Sequence, residues 1–170
     1  MKQGTASVLW GCHSVVHSLL VLLAWRRLYG RWPLGWQLVC IFLHDIGHWG
    51  LDYLSDFEQK RRHWELGASV GRYLFGHRAY SFLAGHCSHS GYQKSDLYKA
   101  DKYSWYLAPT WWLLWNNVVE PELMVNCSSN PEAVRKFQSA VRRSIETGQY
   151  VSTHSLYLER RRGTSEKESQ

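Results

Sequence analysis

The chain is poor in cysteine, with four in 170 residues, Cys12, Cys40, Cys87 and Cys127, and no two of them form a CxxC pair. That scarcity speaks against a disulfide framework, and the mostly apolar surroundings read as those of reduced, buried thiols in a cytoplasmic protein. No apolar run is long enough for a membrane span of about 20 residues. The longest, Val15 to Trp25, is interrupted by His17 and Ser18 and lacks the small-residue cleavage pattern of a signal peptide. Stable membrane insertion is therefore not expected, and without secretion the sequon Asn126-Cys127-Ser128 is idle. There is no internal repeat and no dividing linker, so residues 1–158 read as one domain. The charged, small residues 159–170 read as a disordered tail. A long basic stripe with interleaved aromatics is also missing, which disfavours nucleic acid as the partner.

What the chain has is an ordinary apolar fraction of 45%, a charged fraction of 20% and a net charge of +6. The pI of about 9.2 suits phosphorylated or otherwise anionic substrates. Ten Trp and ten Tyr read first as large core and rim residues, and second as rings able to stack on a base. Some of the positive charge lies in the tail, at Arg160, Arg161 and Arg162. Arg26, Arg27 and Arg31, and Lys60, Arg61 and Arg62, lie nearer the segments that carry chemistry.

The hydrophobic periodicity is helical throughout. It predicts helices over about 7–29, ended by Gly30 and Pro33, over 34–46, over 60–75, ended by Gly76, and over 78–86. A further helix starts near Ser95 and is broken or kinked at Pro109, and another runs from about Pro131 to Thr147. The apolar patch Trp111 to Trp115 reads as packing over the bundle, with a homodimer or membrane-surface contact as the alternative. Residues 49–59 read as a loop whose Asp52, Asp56 and Glu58 are candidate partners for a histidine.

The chemistry concentrates at Leu43-His44-Asp45-Ile46-Gly47-His48, where an imidazole and a carboxylate follow an apolar run. Burying such a pair is costly without a compensating partner, and a divalent cation satisfies both together. Around this dipeptide stand His13 and His17 upstream, then His63, His86, His89 and Asp101 downstream. Gly47 is expected to let the chain turn. The pair Gly67-Ala68 is expected to let its helix pack closely on a neighbour.

In order, His17-Ser-Leu-Leu-Val21, Leu43-His44-Asp45-Ile46-Gly47-His48, His63-Trp-Glu-Leu-Gly67-Ala68, His86 and Ala100-Asp101-Lys102 resemble the HD superfamily of metal-dependent phosphohydrolases. The likeness runs through about residues 13 to 115 and keeps the order H, HD, H, H, D. It implies an all-α HD-domain bundle of about six to seven helices. It also implies one metal held by His17, His44, Asp45 and Asp101, with Asp45 bridging to a second held by His63 and His86. His13 remains the alternative to His17, and His89 the alternative to His86. Cys87 stands where some two-metal members carry an adjacent histidine.

The implied cofactor is a divalent transition metal, Mn, Fe, Ni, Co or Zn, at one or two per chain. The implied reaction is hydrolysis of a phosphoester in a nucleotide or cyclic nucleotide by a metal-activated water, with Asp45, His48 and Lys102 as catalytic candidates. The alternatives are a non-catalytic HD bundle that binds or scaffolds, and a single-strand nuclease.

Overall fold

The helices follow from where the sequence places apolar side chains and helix-stopping residues. The computed structural model describes residues 2–51, 57–119 and 131–148, and all regular structure among them is helical. Helix α1 (Gln3–Trp10) ends at Gly11, whose N–H donates to Ser7 O. The chain restarts from an extended Ser14 as α2 (Val15–Tyr29). Leu20, Val21, Ala24 and Trp25 bury one side of α2, Arg26 and Arg27 complement the dipole of its last turn, and Gly30 closes it at φ 68°, a conformation that favours glycine.

Helix α3 (Gly35–Leu43) follows. The Gln37 side chain accepts the Leu34 N–H at 2.9 Å, satisfying a donor that the helix start leaves open. After a 3-10 turn at Ile46–His48 come α4 (Phe57–Arg61), α5 (Trp64–Phe75) and α6 (His77–Ala84). Then α7 (Asp96–Leu107), α8 (Thr110–Val119) and α9 (Pro131–Thr147) complete the described chain.

Helix α2 lies against α7, and α7 in turn against α9, while α5 and α6 form a second pair joined to the first through α3. Val21, Ala24 and Trp25 of α2 meet Cys40 and Ile41 of α3, Ala68 of α5, Ala79 and Leu83 of α6, and Leu97 and Ala100 of α7 in one core. Cys12, Leu20, Ala108, Trp112, Leu113, Val134 and Phe137 make a smaller one under α8 and α9. The Trp111 to Trp115 segment is thus anchored by Trp112 and Leu113, with Trp111 and Trp115 exposed.

The all-α class expected from the sequence is what the structure has. The helices number nine among the described residues rather than six to seven, because two expected continuous stretches are interrupted and the apolar patch after Pro109 forms a helix of its own. The first stretch breaks at Gly11 to Ser14 and the third between Arg61 and Trp64, while the break at Ala108 and Pro109 is the one expected from the proline. Among the described residues no single helix is long and apolar enough to cross a membrane, and α1 and α2 reach that length only together, across a 53° bend. Asp52, Asp56, Asn126, Cys127 and the tail 159–170 lie outside the described residues.

Two glycines bring the site segments together. A Cβ on Gly67 of α5 would stand 2.4 Å from Leu43 O, and one on Gly47 would stand 1.6 Å from His63 O. Gly67 therefore lets α5 rest against the end of α3, as its sequence context suggested. The chain turns at Gly47, within the 3-10 turn Ile46–His48, without a positive φ. Its role is close approach to the His63 backbone rather than a left-handed turn.

Candidate metal centre

Each segment carrying a histidine or aspartate of the HD pattern ends up facing the same interior point. His17 projects from the first turn of α2. His44 and Asp45 lie in the turn directly after α3 rather than inside a helix, His63 caps the start of α5, His86 follows the end of α6, and Asp101 is in the middle of α7. His17, His44 and His86 are 2% exposed or less, Asp101 5% and Asp45 8%.

Asp45 stands between two histidine pairs. Its Oδ2 is 3.1 Å from His44 Nε2 and 3.4 Å from His17 Nε2, while its Oδ1 is 3.7 Å from both His63 Nε2 and His86 Nε2. Asp101 Oδ1 joins the first pair, 3.1 Å from His17 Nε2. Two groups result, His17 with His44 and Asp101, and Asp45 with His63 and His86. In each the ligand-type atoms lie within 4.8 Å of one another, as a shared cation requires.

The other nitrogen of these rings fixes what the inward one offers. His44 Nδ1 lies 2.6 Å from Ile41 O, and His86 Nδ1 2.5 Å from Leu83 O. A carbonyl only accepts, so both rings carry a proton on Nδ1 and turn a lone pair inward at Nε2 in their neutral state. Ser104 donates its hydroxyl to Asp101 O at 2.6 Å, which leaves Ser104 Oγ to accept from His17 Nδ1 at 3.4 Å. His17 is thereby set in the same tautomer.

The result is Nε2 against Nε2 at 3.2 Å for His17 and His44, and at 3.0 Å for His63 and His86, beside two buried carboxylates. Lone pairs and carboxylates packed this closely repel unless positive charge sits among them. That charge is either protons or metal ions, so the buried groups can hold a metal ion.

The electrostatics follow from the same crowding. Burial alone lowers His44, but the Asp45 and Asp101 charges outweigh it and raise the group to about 9. Burial alone would raise Asp45, yet His44 and its neighbouring histidines hold the carboxyl well below its usual range. For Asp101, burial opposes the Lys102 ammonium and His17, and the cations prevail, keeping it ionised. Lys102 Nζ sits 2.7 Å from Asp101 Oδ2. Burial pulls that ammonium down and the carboxylate more than restores it, above its ordinary value.

Placement separates the alternative histidines in part. His86 reaches the interior, while His89 is exposed and outside both groups. His17 reaches it too, but His13 also lies near by, in the break before α2 rather than on one helix face with His17. His13 forms a third group with Asp45 and His48. Its ring stacks on His48 at 3.7 Å, and His48 stacks on His63 at 4.6 Å.

His48 is buried at 2% exposure, so the structure places it within this column of rings. Sequence reading overlooked that third group, and its only signal was the density of histidine around Asp45. Cys87 directs its sulfur to Arg61 O at 3.8 Å. Arg61 pairs with Glu58 and Arg62 with Glu65, both on the exposed surface.

No family model, curated protein or solved structure matches the chain. The fold and site define an all-helical protein whose buried histidines and aspartates can hold metal, in an arrangement compatible with the HD pattern.

Proposed function

We propose that this chain is an HD-type metal-dependent phosphohydrolase acting on a small phosphorylated substrate, with a nucleotide or cyclic nucleotide as the first candidates. The observation that carries the reading is the division of Asp45 between the two histidine pairs, Oδ2 toward His17 and His44 and Oδ1 toward His63 and His86. A carboxylate so shared suits a bridge between two cations, and a mixed imidazole and carboxylate set favours transition metals such as Mn, Fe, Co, Ni or Zn. His17, His44 and Asp101 would hold one ion and His63 and His86 the other. Bound there, such ions supply an activated water and neutralise charge on the phosphate oxygens.

The protein's part is positioning. Ile41 O, Leu83 O and Ser104 Oγ orient three of the rings before anything binds, as second partners of metal-ligating histidines do. The half-buried His63, with a side chain 15% exposed, and Lys102, 42% exposed, mark the side from which a substrate reaches Asp45. Lys102 is assigned to a phosphate oxygen there. His48, buried beneath His63, is assigned to holding that ring in place.

A non-catalytic bundle with a closed metal site is the second reading, favoured by the near-complete burial of His17, His44 and His86. Activity separates the two. Protein loaded with manganese or iron is assayed for phosphate or nucleotide release on p-nitrophenyl phosphate, bis-p-nitrophenyl phosphate and a panel of nucleotides and cyclic nucleotides. Turnover abolished by Asp45→Asn supports the enzyme. Full metal occupancy without turnover on any member supports the closed site.

A further inference from the structure

Helices α2 and α3 form a hairpin that turns its site histidines inward and a row of apolar side chains outward. Val15, Leu19 and Leu23, four residues apart along α2, are 58%, 49% and 50% exposed, and Leu38, Val39 and Phe42 of α3 are 39%, 38% and 41% exposed. The inner faces of both helices share one core through Val21, Trp25, Cys40 and Ile41, so the opposite faces both look outward. Single exposed leucines are ordinary, whereas apolar rows on two neighbouring helices ask for a partner.

Within the hairpin's own sequence the charge is of one sign, and the carboxylate that a neighbouring element brings near its tip is the exposed Asp96, whose backbone carbonyl accepts from the Tyr29 hydroxyl at 2.8 Å. Residues 1–44 contain no Asp or Glu, and the hairpin tip carries Arg26, Arg27 and Arg31, all exposed. Exposed tryptophans lie in the same part of the chain, Trp10 before α2, Trp32 at the tip and Trp49 after the 3-10 turn. Aliphatic rows that run to a tip carrying three arginines and the exposed Trp32 match the water boundary of an anionic lipid layer, where indoles and guanidiniums sit at headgroup level.

We infer that the outer face of the α2–α3 hairpin docks the protein on anionic membrane surfaces, lying on the lipid without crossing it. The buried His17 on the inner side of α2 keeps that side within the protein. The docking face lies opposite the site, so this inference stands independently of the catalytic reading.

The test is cosedimentation of the full-length, metal-loaded protein with vesicles of phosphatidylcholine alone, and of equal parts phosphatidylcholine and phosphatidylserine. Binding to the mixed vesicles, weakened at least about tenfold by Leu19→Glu with Leu23→Glu and separately by Arg26→Glu with Arg27→Glu, is the expected result. Circular dichroism and metal content of both variants should match wild type, which shows that they fold. No sedimentation with mixed vesicles overturns the inference, as does equal binding to both vesicle types. A dimer in light scattering that Leu19→Glu with Leu23→Glu dissociates would assign the face to a second copy and overturn it equally.

Discussion

Asp101 Oδ1 meets His17 Nε2 at 3.1 Å across a sequence separation of 84 residues, and this contact ties the middle of α7 to the first turn of α2 inside the metal-type site. Around it Asp45 and Asp101 are held ionised, and their charge raises His44 to about 9. The site can therefore hold cations, and its behaviour with and without them is open to direct measurement.

Asp45 is the residue both halves share. Asp45→Asn keeps the shape and removes the charge, so helix content by circular dichroism should stay near wild type. Bound metal should be lost, and any phosphohydrolase activity should fall by about 100-fold or more, since partners one step removed from a metal already cost 10 to 100-fold. An Asp45→Asn protein with full metal occupancy would contradict the shared-carboxylate assignment.

Ser104 touches no proposed ion yet fixes the His17 tautomer. Ser104→Ala should weaken metal affinity about 10 to 100-fold, with His17 free to turn. Ser104→Thr, which keeps a hydroxyl, should restore most of it. Isothermal titration with manganese or zinc reads the difference, and the exposed His89→Ala serves as the variant that should change nothing.

The metal-free protein should lose stability as pH rises. His44 is raised from an ordinary 6.5 to about 9, so its protonated form stabilises the fold fully below about 6.5, and that contribution disappears as pH climbs through about 9. Asp45 and Asp101, both lowered, contribute above their ordinary range and stay ionised throughout this window. With chelator present, the melting temperature should fall between pH 6.5 and 9, while metal binding, which needs neutral imidazole, should strengthen over the same range. A melting temperature that is flat or rising in chelator would contradict the predicted charge state.

Glycine contacts predict stability as well as placement. Gly67→Ala forces a methyl to 2.4 Å from Leu43 O and should cost about 1 to 3 kcal/mol in denaturant unfolding, with a weakened metal site as α5 moves off α3. Gly35→Ala, at the start of α3 with nothing within 4 Å, should be neutral or stabilise by up to about 1 kcal/mol.

Much of this was legible in the sequence because helical periodicity and residue order are local signals. The stretch His44-Asp45 after an apolar run, the small pair Gly67-Ala68 and the stop at Gly30 each carry their reason in the neighbouring residues. Helix interruptions were less legible. The break at Gly11 to Ser14 has a glycine and a serine as its local signals, but the apolar residues on either side continue the helical pattern, and α1 packs on the 3-10 turn.

The third group, His13 with Asp45 and His48, depends on how three chain segments cross, and spacing along the sequence does not encode that. Whether His86 or His89 faces inward turned on the few residues after α6, where His86 Nδ1 donates to Leu83 O in the last turn of that helix. The turn at Gly47 was legible, but its close approach to the backbone was not, because the atom its missing Cβ avoids belongs to His63, sixteen residues along the chain.

The most direct measurement is the metal content per chain, by elemental mass spectrometry, of protein purified without chelator and refilled with manganese or iron, alongside His63→Ala and His17→Ala. About two ions per wild-type chain, with His63→Ala keeping about one, is the predicted result for a site divided by Asp45. Wild-type protein that retains no metal after refilling would contradict the central claim that these buried histidines and aspartates are held together around cations.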